Sequence, residues 1–289
     1  MTPSVTFQPG LLRGKTAFIT GGGSGINRQI ANTYAAAGAT VAIAGRDGDK
    51  ARDAAAQIET AGGRAAGFSA DVRSYDSLRA AIEQAHAAFG DIDIVVAGAA
   101  GNFVAPATGM SANGFRAVVE TDLIGTFNTL RAAHEFMRKP SAMVLAISAV
   151  QSTMPTFAQA HVCAAKAGVD MLIRALAIEW AADGIRCVGI APGPVEQTEG
   201  MERLAPKGQE SWNRLLQSIP SGRGASKQEI ADLALYLASP SGQYVNGTVI
   251  TIDGGFSAVG SLEFGRVLRD AVVEASRRGD AGAKKETNA

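Results

Sequence analysis

KTAFITGGGSGINRQIANTYAAA, residues Lys15 to Ala37, opens with the apolar run Thr16–Thr20, long enough for a buried parallel strand. Gly21, Gly22, Gly23, Ser24 and Gly25 form a turn, after which Ile26, Ile30, Ala31 and Tyr34 recur at helical spacing. Strand, glycine turn and helix in that order are the context a dinucleotide site requires. Glycines there can take positive φ and bring the backbone close to a ligand. The helix N-terminus offers free N–H groups and partial positive charge to a pyrophosphate. A glycine turn alone could be purely structural; the strand and helix around it favour a cofactor. Gly21, Gly23, Ser24, Gly25 and Ile26 are the candidate contacts.

Outward from this stretch, strand and helix patterns alternate without a break in composition. Further strands are expected over 40–44, 65–69, 93–97, 143–147, 185–190 and 249–252. Helices are expected over 49–61, 75–88, 112–138, 160–182 and 227–238. That alternation predicts a single Rossmann-type doubly wound parallel sheet of about seven strands with helices on both faces, an α/β fold. Residues 1–14 read as an N-terminal arm, 15–260 as the domain and 261–289 as a tail with a short helix over 261–277. Residues 195–226 are irregular apart from a helical piece over 210–218, and a stretch this long at a strand's carboxyl end reads as a substrate lid.

Composition narrows the function classes. Apolar residues make up 46% of the 289-residue chain, enough for one large core. The 27 basic and 27 acidic residues balance, so nothing favours a nucleic acid or a membrane surface as partner. The apolar runs are too short to span a bilayer. No signal-peptide pattern opens the sequence and no Ser-Lys-Leu-type address closes it, so a cytoplasmic protein is expected. Cys163 and Cys187 read as small buried residues, and the three histidines lack metal-ligand spacing, so packing or surface roles are expected for them and no metal.

The end of the second strand is where such folds choose their cofactor. An acidic residue there would hold the 2′-hydroxyl of NAD, but the chain has Gly45 and then Arg46. Arginine suits the 2′-phosphate of NADP through a bidentate contact; a solvated surface arginine is the alternative.

The Thr20–Ile26 turn resembles that of the short-chain dehydrogenase/reductase family, whose third glycine falls on Asn27. Asn27 then either pushes the helix outward or hydrogen-bonds locally. The resemblance implies that Asp71 and Val72 lie against the adenine; Asp71 reads equally as the N-cap of the next helix. Where the family has Asn-Asn-Ala-Gly, this chain has Ala97-Gly98-Ala99-Ala100, small residues that leave room for the ribose. Common members carry a serine, a tyrosine and a lysine four residues after the tyrosine. Lys166 matches the lysine, but Val162 and Ala149 stand at the other two positions and cannot donate a proton. The family's helix asparagine is replaced by Asp122. Asp122 and Lys166 either hold a water for proton delivery or form a buried ion pair in an inactive protein.

More specific segments are AAGNFVAPATGMSANGF from Ala99, TDLIGTFN from Thr121, QAHVCAAKAGVD from Gln159 and APGPVEQTEGMERL from Ala191. With these the chain resembles the peroxisomal-type 2,4-dienoyl-CoA reductases over residues 11–256. That group also lacks the tyrosine and serine and uses an aspartate–lysine pair, so Asp122 and Lys166 are the implied catalytic residues. The resemblance implies hydride transfer from NADPH to the δ-carbon of a dienoyl-CoA thioester and protonation of the α-carbon by the held water. Lys166 would also hold the nicotinamide ribose. Pro192, Gly193, Val195 and Thr198 would complete the cofactor contacts. Asn102, Phe103 and Ser148 are expected at the acyl substrate, with Gln151 the other polar residue near the vacated serine. Helices 112–138 and 160–182 match those the family uses to pair subunits, implying a homotetramer or homodimer. Another enoyl thioester or conjugated carbonyl substrate is one alternative; a non-catalytic NADP-binding protein is the other.

Overall fold

The structure, a computed structural model, describes residues 7–204 and 209–259; the expected helix over 261–277 lies outside the described residues. Seven strands form one parallel sheet: β1 (Thr16–Thr20), β2 (Thr40–Gly45), β3 (Arg64–Ser69), β4 (Ile94–Ala97), β5 (Met143–Ile147), β6 (Arg186–Pro192) and β7 (Thr248–Ile252). Their spatial order is β3-β2-β1-β4-β5-β6-β7. The order reverses between β1 and β4, and a doubly wound sheet opens a crevice at the carboxyl ends of the strands there.

Helices cover both faces: α1 (Gly25–Ala36), α2 (Gly48–Thr60), α3 (Tyr75–Phe89), α4 (Ala112–Val119), α5 (Gly125–Ala133), α6 (Ala160–Glu179), α7 (Glu199–Leu204), α8 (Gln209–Gln217) and α9 (Lys227–Ala238). The strand period sorts the core. Ala17 and Ile19 of β1 pack with Ile30 and Tyr34 of α1 and Ile230 and Leu235 of α9. Phe18, pointing the other way, packs with Leu78 and Ile82 of α3, Leu130 of α5 and Ile173 of α6. Both faces are sealed over the central strands β1, β2, β4, β5 and β6, which is why these read as continuous apolar runs, whereas the edge strands β3 and β7 are only partly covered. The end of the expected N-terminal arm docks: Leu12 is buried and its N–H donates to the Ala37 carbonyl at 2.8 Å.

The expected single helix over 112–138 is instead a broken rod. A π-helical turn, Glu120–Ile124, separates α4 from α5, and a 3₁₀ turn, His134–Phe136, ends the run. The stripe Leu123, Phe127, Leu130, His134 is consequently split: Leu130 is sealed while Phe127 is 45% exposed. A π turn inserts one residue, so spacing that assumes 3.6 residues per turn loses its face there. Between β6 and α9 the chain leaves at Val195 and returns at Ala225, the two forming an isolated parallel bridge. α7, within this stretch, is an element the spacing did not predict. Cys187 is buried, and its thiol is pushed up to about 12 by burial; Cys163, expected buried, is partly exposed.

Candidate active site

A cleft of about 420 Å³ lies over the β1/β4 reversal, walled by the glycine turn, the ends of β4, β5 and β6, and the start of α7. Gly21 and Gly25 take φ of +70° and +59°, and a Cβ on Gly21 would stand 3.0 Å from the Ala99 backbone. At the start of α1, Ser24 makes no side-chain capping hydrogen bond and the first turn carries no acidic residue. By contrast, Asp47, Ser74, Ser111 and Ser226 each cap their own helix. The α1 N–H groups and the Ser24 hydroxyl are thus left to face the cleft, which fits the pyrophosphate of a dinucleotide.

Asn27 hydrogen-bonds, but to a partner 71 residues away rather than locally. Its Nδ2 donates to the Gly98 carbonyl at 2.7 Å, which joins α1 to the end of β4. Gly45 and Arg46 line both the main cleft and a side lobe that also holds Gly23 and Lys50. Among the described residues the Arg46 guanidinium has no acidic partner, whereas Lys50 pairs with Glu199 of α7 at 2.8 Å. Asp47, the acid nearest β2, spends its carboxylate accepting from the Lys50 N–H as the α2 cap.

Ala70 and Val72 reach the cleft wall, while Asp71 between them turns to Arg73. The Arg73 guanidinium beside it, ahead of an opposing burial effect, holds the Asp71 carboxyl below the usual range. Asp71 does not cap α3; Ser74 does, by accepting from the Ser77 N–H. Gly98 and Ala99 line the cleft, but Ala97 is sealed in the core beneath it. Pro192, Gly193 and Val195 form the wall beyond β6. The Thr198 hydroxyl donates to the Val195 carbonyl and accepts from the Met201 N–H, so it starts α7 at the cleft edge.

The π turn sets Asp122 into the interior, 1% exposed. Asp122 Oδ1 accepts from the Gly101 N–H at 2.7 Å, and Oδ2 lies 3.2 Å from Lys166 Nζ. Lys166, on α6, also donates to the Ile147 carbonyl at 3.0 Å. Two buried opposite charges thus meet at the cleft beside the backbone of the β4 and β5 ends. Ala149 and Val162 line the same cleft and present only methyl groups.

Asn102 lines the cleft with its Oδ1 unpartnered. Phe103 packs against Val118, Val162 and Ala165. Ser148 reaches the cleft, but its hydroxyl donates to the buried Asp170 carboxylate and is committed there. Two neighbours were not singled out from sequence as site residues: Lys50 in the side lobe, and His161, fully buried and stacked on Phe103 with centroids 4.3 Å apart. Lys50 follows an α2 start rich in charge, which reads as a solvated face; His161 lacks any metal-ligand spacing.

A family model described as enoyl-(acyl carrier protein) reductase matches residues 21–257. The chain belongs to the short-chain dehydrogenase/reductase family. It is 42% identical over 265 residues to a Rattus norvegicus protein named peroxisomal 2,4-dienoyl-CoA reductase [(3E)-enoyl-CoA-producing], covering 91% of this chain and 90% of that one. A Bacillus subtilis protein named probable 2,4-dienoyl-CoA reductase [(2E)-enoyl-CoA-producing] is 39% identical, over 83% of this chain and 96% of its own. Among solved structures, a gluconate 5-dehydrogenase from Burkholderia cenocepacia in complex with NADP and tartrate superposes with a TM-score of 0.81 at 32% identity, covering 86% of this chain and 96% of that one. Family membership makes the chain an oxidoreductase with an NAD(P) site. Among the described residues no helix is long and apolar enough to cross a membrane, and no group of three His, Cys, Asp or Glu could hold a metal.

Proposed function

We propose that this protein reduces a 2,4-dienoyl-CoA thioester with NADPH, giving a (3E)-enoyl-CoA. The observation that carries the reading is the buried Asp122–Lys166 contact at 3.2 Å, set in a cleft whose Ser and Tyr positions hold Ala149 and Val162. A site with no hydroxyl at these two positions is ill-suited to protonating a ketone oxygen and better suited to delivering a proton to carbon through water. The names of both relatives point to a dienoyl-CoA substrate, and that of the Rattus norvegicus relative to the (3E) product, whereas the Bacillus subtilis relative is named for the (2E) product.

When bound, the cofactor supplies the hydride that reduces the δ-carbon of the conjugated chain. The uncapped α1 start and the Gly21–Ile26 backbone hold its pyrophosphate. Arg46, which forms no salt bridge among the described residues, takes the 2′-phosphate, and Lys50 stands in the same lobe. Val72, Gly98, Ala99, Gly193 and Thr198 border the nucleotide, and Lys166 holds the ribose nearest the chemistry. Asp122 and Lys166 bracket a water whose proton goes to the α-carbon, leaving the double bond between the β- and γ-carbons. Asn102 and Phe103 border the acyl chain. Of the expected lid 195–226, residues 195–204, with α7 at the cleft edge, and 209–226 form the lid, and 205–208 lie outside the described residues.

The protein acts in the cytoplasm as a homodimer or homotetramer. Exposed apolar side chains on the α4–α5 rod and α6 support the assembly: Phe115, Ile124, Phe127, Met171 and Ile178. The deciding experiment follows NADPH oxidation with 2,4-hexadienoyl-CoA and locates the product double bond by NMR. Turnover to the 3-enoyl thioester is expected. No oxidation, or protonation at the γ-carbon to a 2-enoyl thioester, overturns the reading.

A further inference from the structure

Six buried side-chain N or O atoms lack a hydrogen-bond partner among the described residues, and four of them belong to Asn102, Gln159 and His161. All three residues surround Phe103. The Gln159 amide orientation is fixed, because its Nε2 donates to the Phe103 carbonyl at 2.6 Å and the Ala158 carbonyl at 3.2 Å. Its Oε1 is therefore a genuine unpaired acceptor. His161 is 0% exposed and neither Nδ1 nor Nε2 makes a well-formed hydrogen bond, although the Phe103 backbone is close enough to act on the ring. An unpaired buried polar group costs about 1–3 kcal/mol, and several in one patch beside a cleft call for an explanation, a catalytic role being one of those known.

The patch lies against the reaction centre. His161 is in the first turn of α6, next to Val162 of the cleft wall and five residues before Lys166. The Asp122 charge is near enough to act on the ring. Covering the imidazole are Phe103 and two segments tied together: the Ala105 N–H donates to the Ala158 carbonyl at 3.1 Å. Neither segment belongs to a strand or an α-helix, and their outer face carries Val104 and Phe157, 57% and 89% exposed.

We propose that His161 is a substrate-binding group: when the acyl chain displaces the Phe103 ring, the imidazole N–H donates to the thioester carbonyl oxygen. The proposal rests on the dienoyl thioester reading above and names the group that takes over oxyanion stabilisation where Ser and Tyr are absent. Burial lowers the pKa of the imidazole, ahead of the opposing effects of the Phe103 backbone and Asp122, so the ring is a neutral donor at neutral pH. It holds charge on the oxygen and transfers no proton. Donors already in place where charge develops need no reorganisation during the reaction.

The test uses the full-length protein and two variants, His161→Leu and His161→Asn, the second keeping an N–H donor. Steady-state kinetics are run with NADPH and 2,4-hexadienoyl-CoA. Calorimetric binding of the saturated hexanoyl-CoA and fluorescence-detected NADPH binding accompany them. Removing one oxyanion donor lowers kcat by roughly 10²–10³. His161→Leu is expected to show that loss with NADPH binding within about threefold of wild type and hexanoyl-CoA binding weakened by about 2–10-fold, the loss of one neutral hydrogen bond, and His161→Asn to recover at least about tenfold of the kcat loss. A His161→Leu kcat within threefold of wild type overturns the proposal. So does an equal loss in both variants accompanied by weakened NADPH binding, which is the mark of a packing role. Wild type that oxidises no NADPH with the dienoyl thioester overturns the function reading itself, a separate result.

Discussion

The side chain of Asn27 occupies the space that a Cβ on Gly98 would need: such a Cβ would lie 2.2 Å from Asn27 Oδ1, while Asn27 Nδ2 donates to the Gly98 carbonyl. A large residue in the α1 turn is thus matched by an absent side chain at the end of β4. Gly98→Ala alone is expected to destabilise by about 1–3 kcal/mol through overpacking. Asn27→Gly removes the clash, so Asn27→Gly/Gly98→Ala should be more stable than Gly98→Ala by at least about 1 kcal/mol. Denaturant unfolding of the four proteins measures this. Additive changes would show that the two positions are independent.

Asp122 has two duties that substitution can separate. Its Oδ1 holds the Gly101 N–H and its Oδ2 faces Lys166. Asp122→Asn keeps an acceptor for Gly101 but removes the carboxylate. Asp122→Ala removes both and leaves Lys166 with the Ile147 carbonyl as its remaining partner. Breaking a buried pair from one side costs about 3–5 kcal/mol, so both variants should melt below wild type, and Asp122→Ala, which also leaves the Gly101 N–H unpaired, by about 1–3 kcal/mol more than Asp122→Asn. NADPH oxidation with the dienoyl thioester should fall by about 10²–10⁴ in both variants. A fully active Asp122→Asn would show that the carboxylate serves structure alone.

Arg46 is the cation at the end of β2 without an acidic partner among the described residues, and it borders both lobes of the cleft. Replacing it by aspartate removes the bidentate phosphate contact and supplies a carboxylate for a ribose 2′-hydroxyl. Arg46→Asp should raise the KM for NADPH by about 10–100-fold, since charge-assisted contacts are worth about 1.5–3 kcal/mol, and should lower the KM for NADH. Kinetics with both cofactors decide it. An unchanged NADPH KM would assign the phosphate to Lys50 instead.

The parts of this fold that were legible in sequence are those whose signals are consecutive. The strand, glycine turn and helix of 15–37 lie end to end, and β1, β2 and α9 fall where periodicity puts them. Asp122 and Lys166 were readable as residue types at matching positions, and the structure brings them within 3.2 Å. The π turn that carries Asp122 was not, because nothing in Glu-Thr-Asp-Leu-Ile breaks a helical pattern; five residues wound one unit wider look the same in one dimension. Asn27 was left open because its partner is 71 residues away. Ser148 was counted at the substrate because its neighbours along the chain are cleft residues, but its hydroxyl is taken by Asp170 on α6. His161 escaped for the same reason: what marks it is the missing partners across three separate segments, a property of the assembled interior.

The return from the lid into α9 is fastened by charge. Arg223 grips Glu229 through both carboxylate oxygens, and Glu229 also accepts from the Ser226 N–H in a capping box. The Arg223 contact, followed by the Ser226 N–H, lowers the Glu229 pKa from its ordinary carboxylate range to about 2. A depressed carboxylate stabilises the fold at pH values above its unfolded pKa, and that contribution fades as pH falls toward the folded pKa. Glu229→Gln keeps the capping geometry without the charge. Its melting temperature should therefore lie below wild type at pH 6–7, by an amount equivalent to about 1 kcal/mol once solvent screening of this surface pair is allowed for. The gap should narrow between pH 4.5 and about 2. Calorimetric melting across that range measures it, and a gap that stays constant as pH falls would assign the stabilisation to hydrogen bonding rather than to charge.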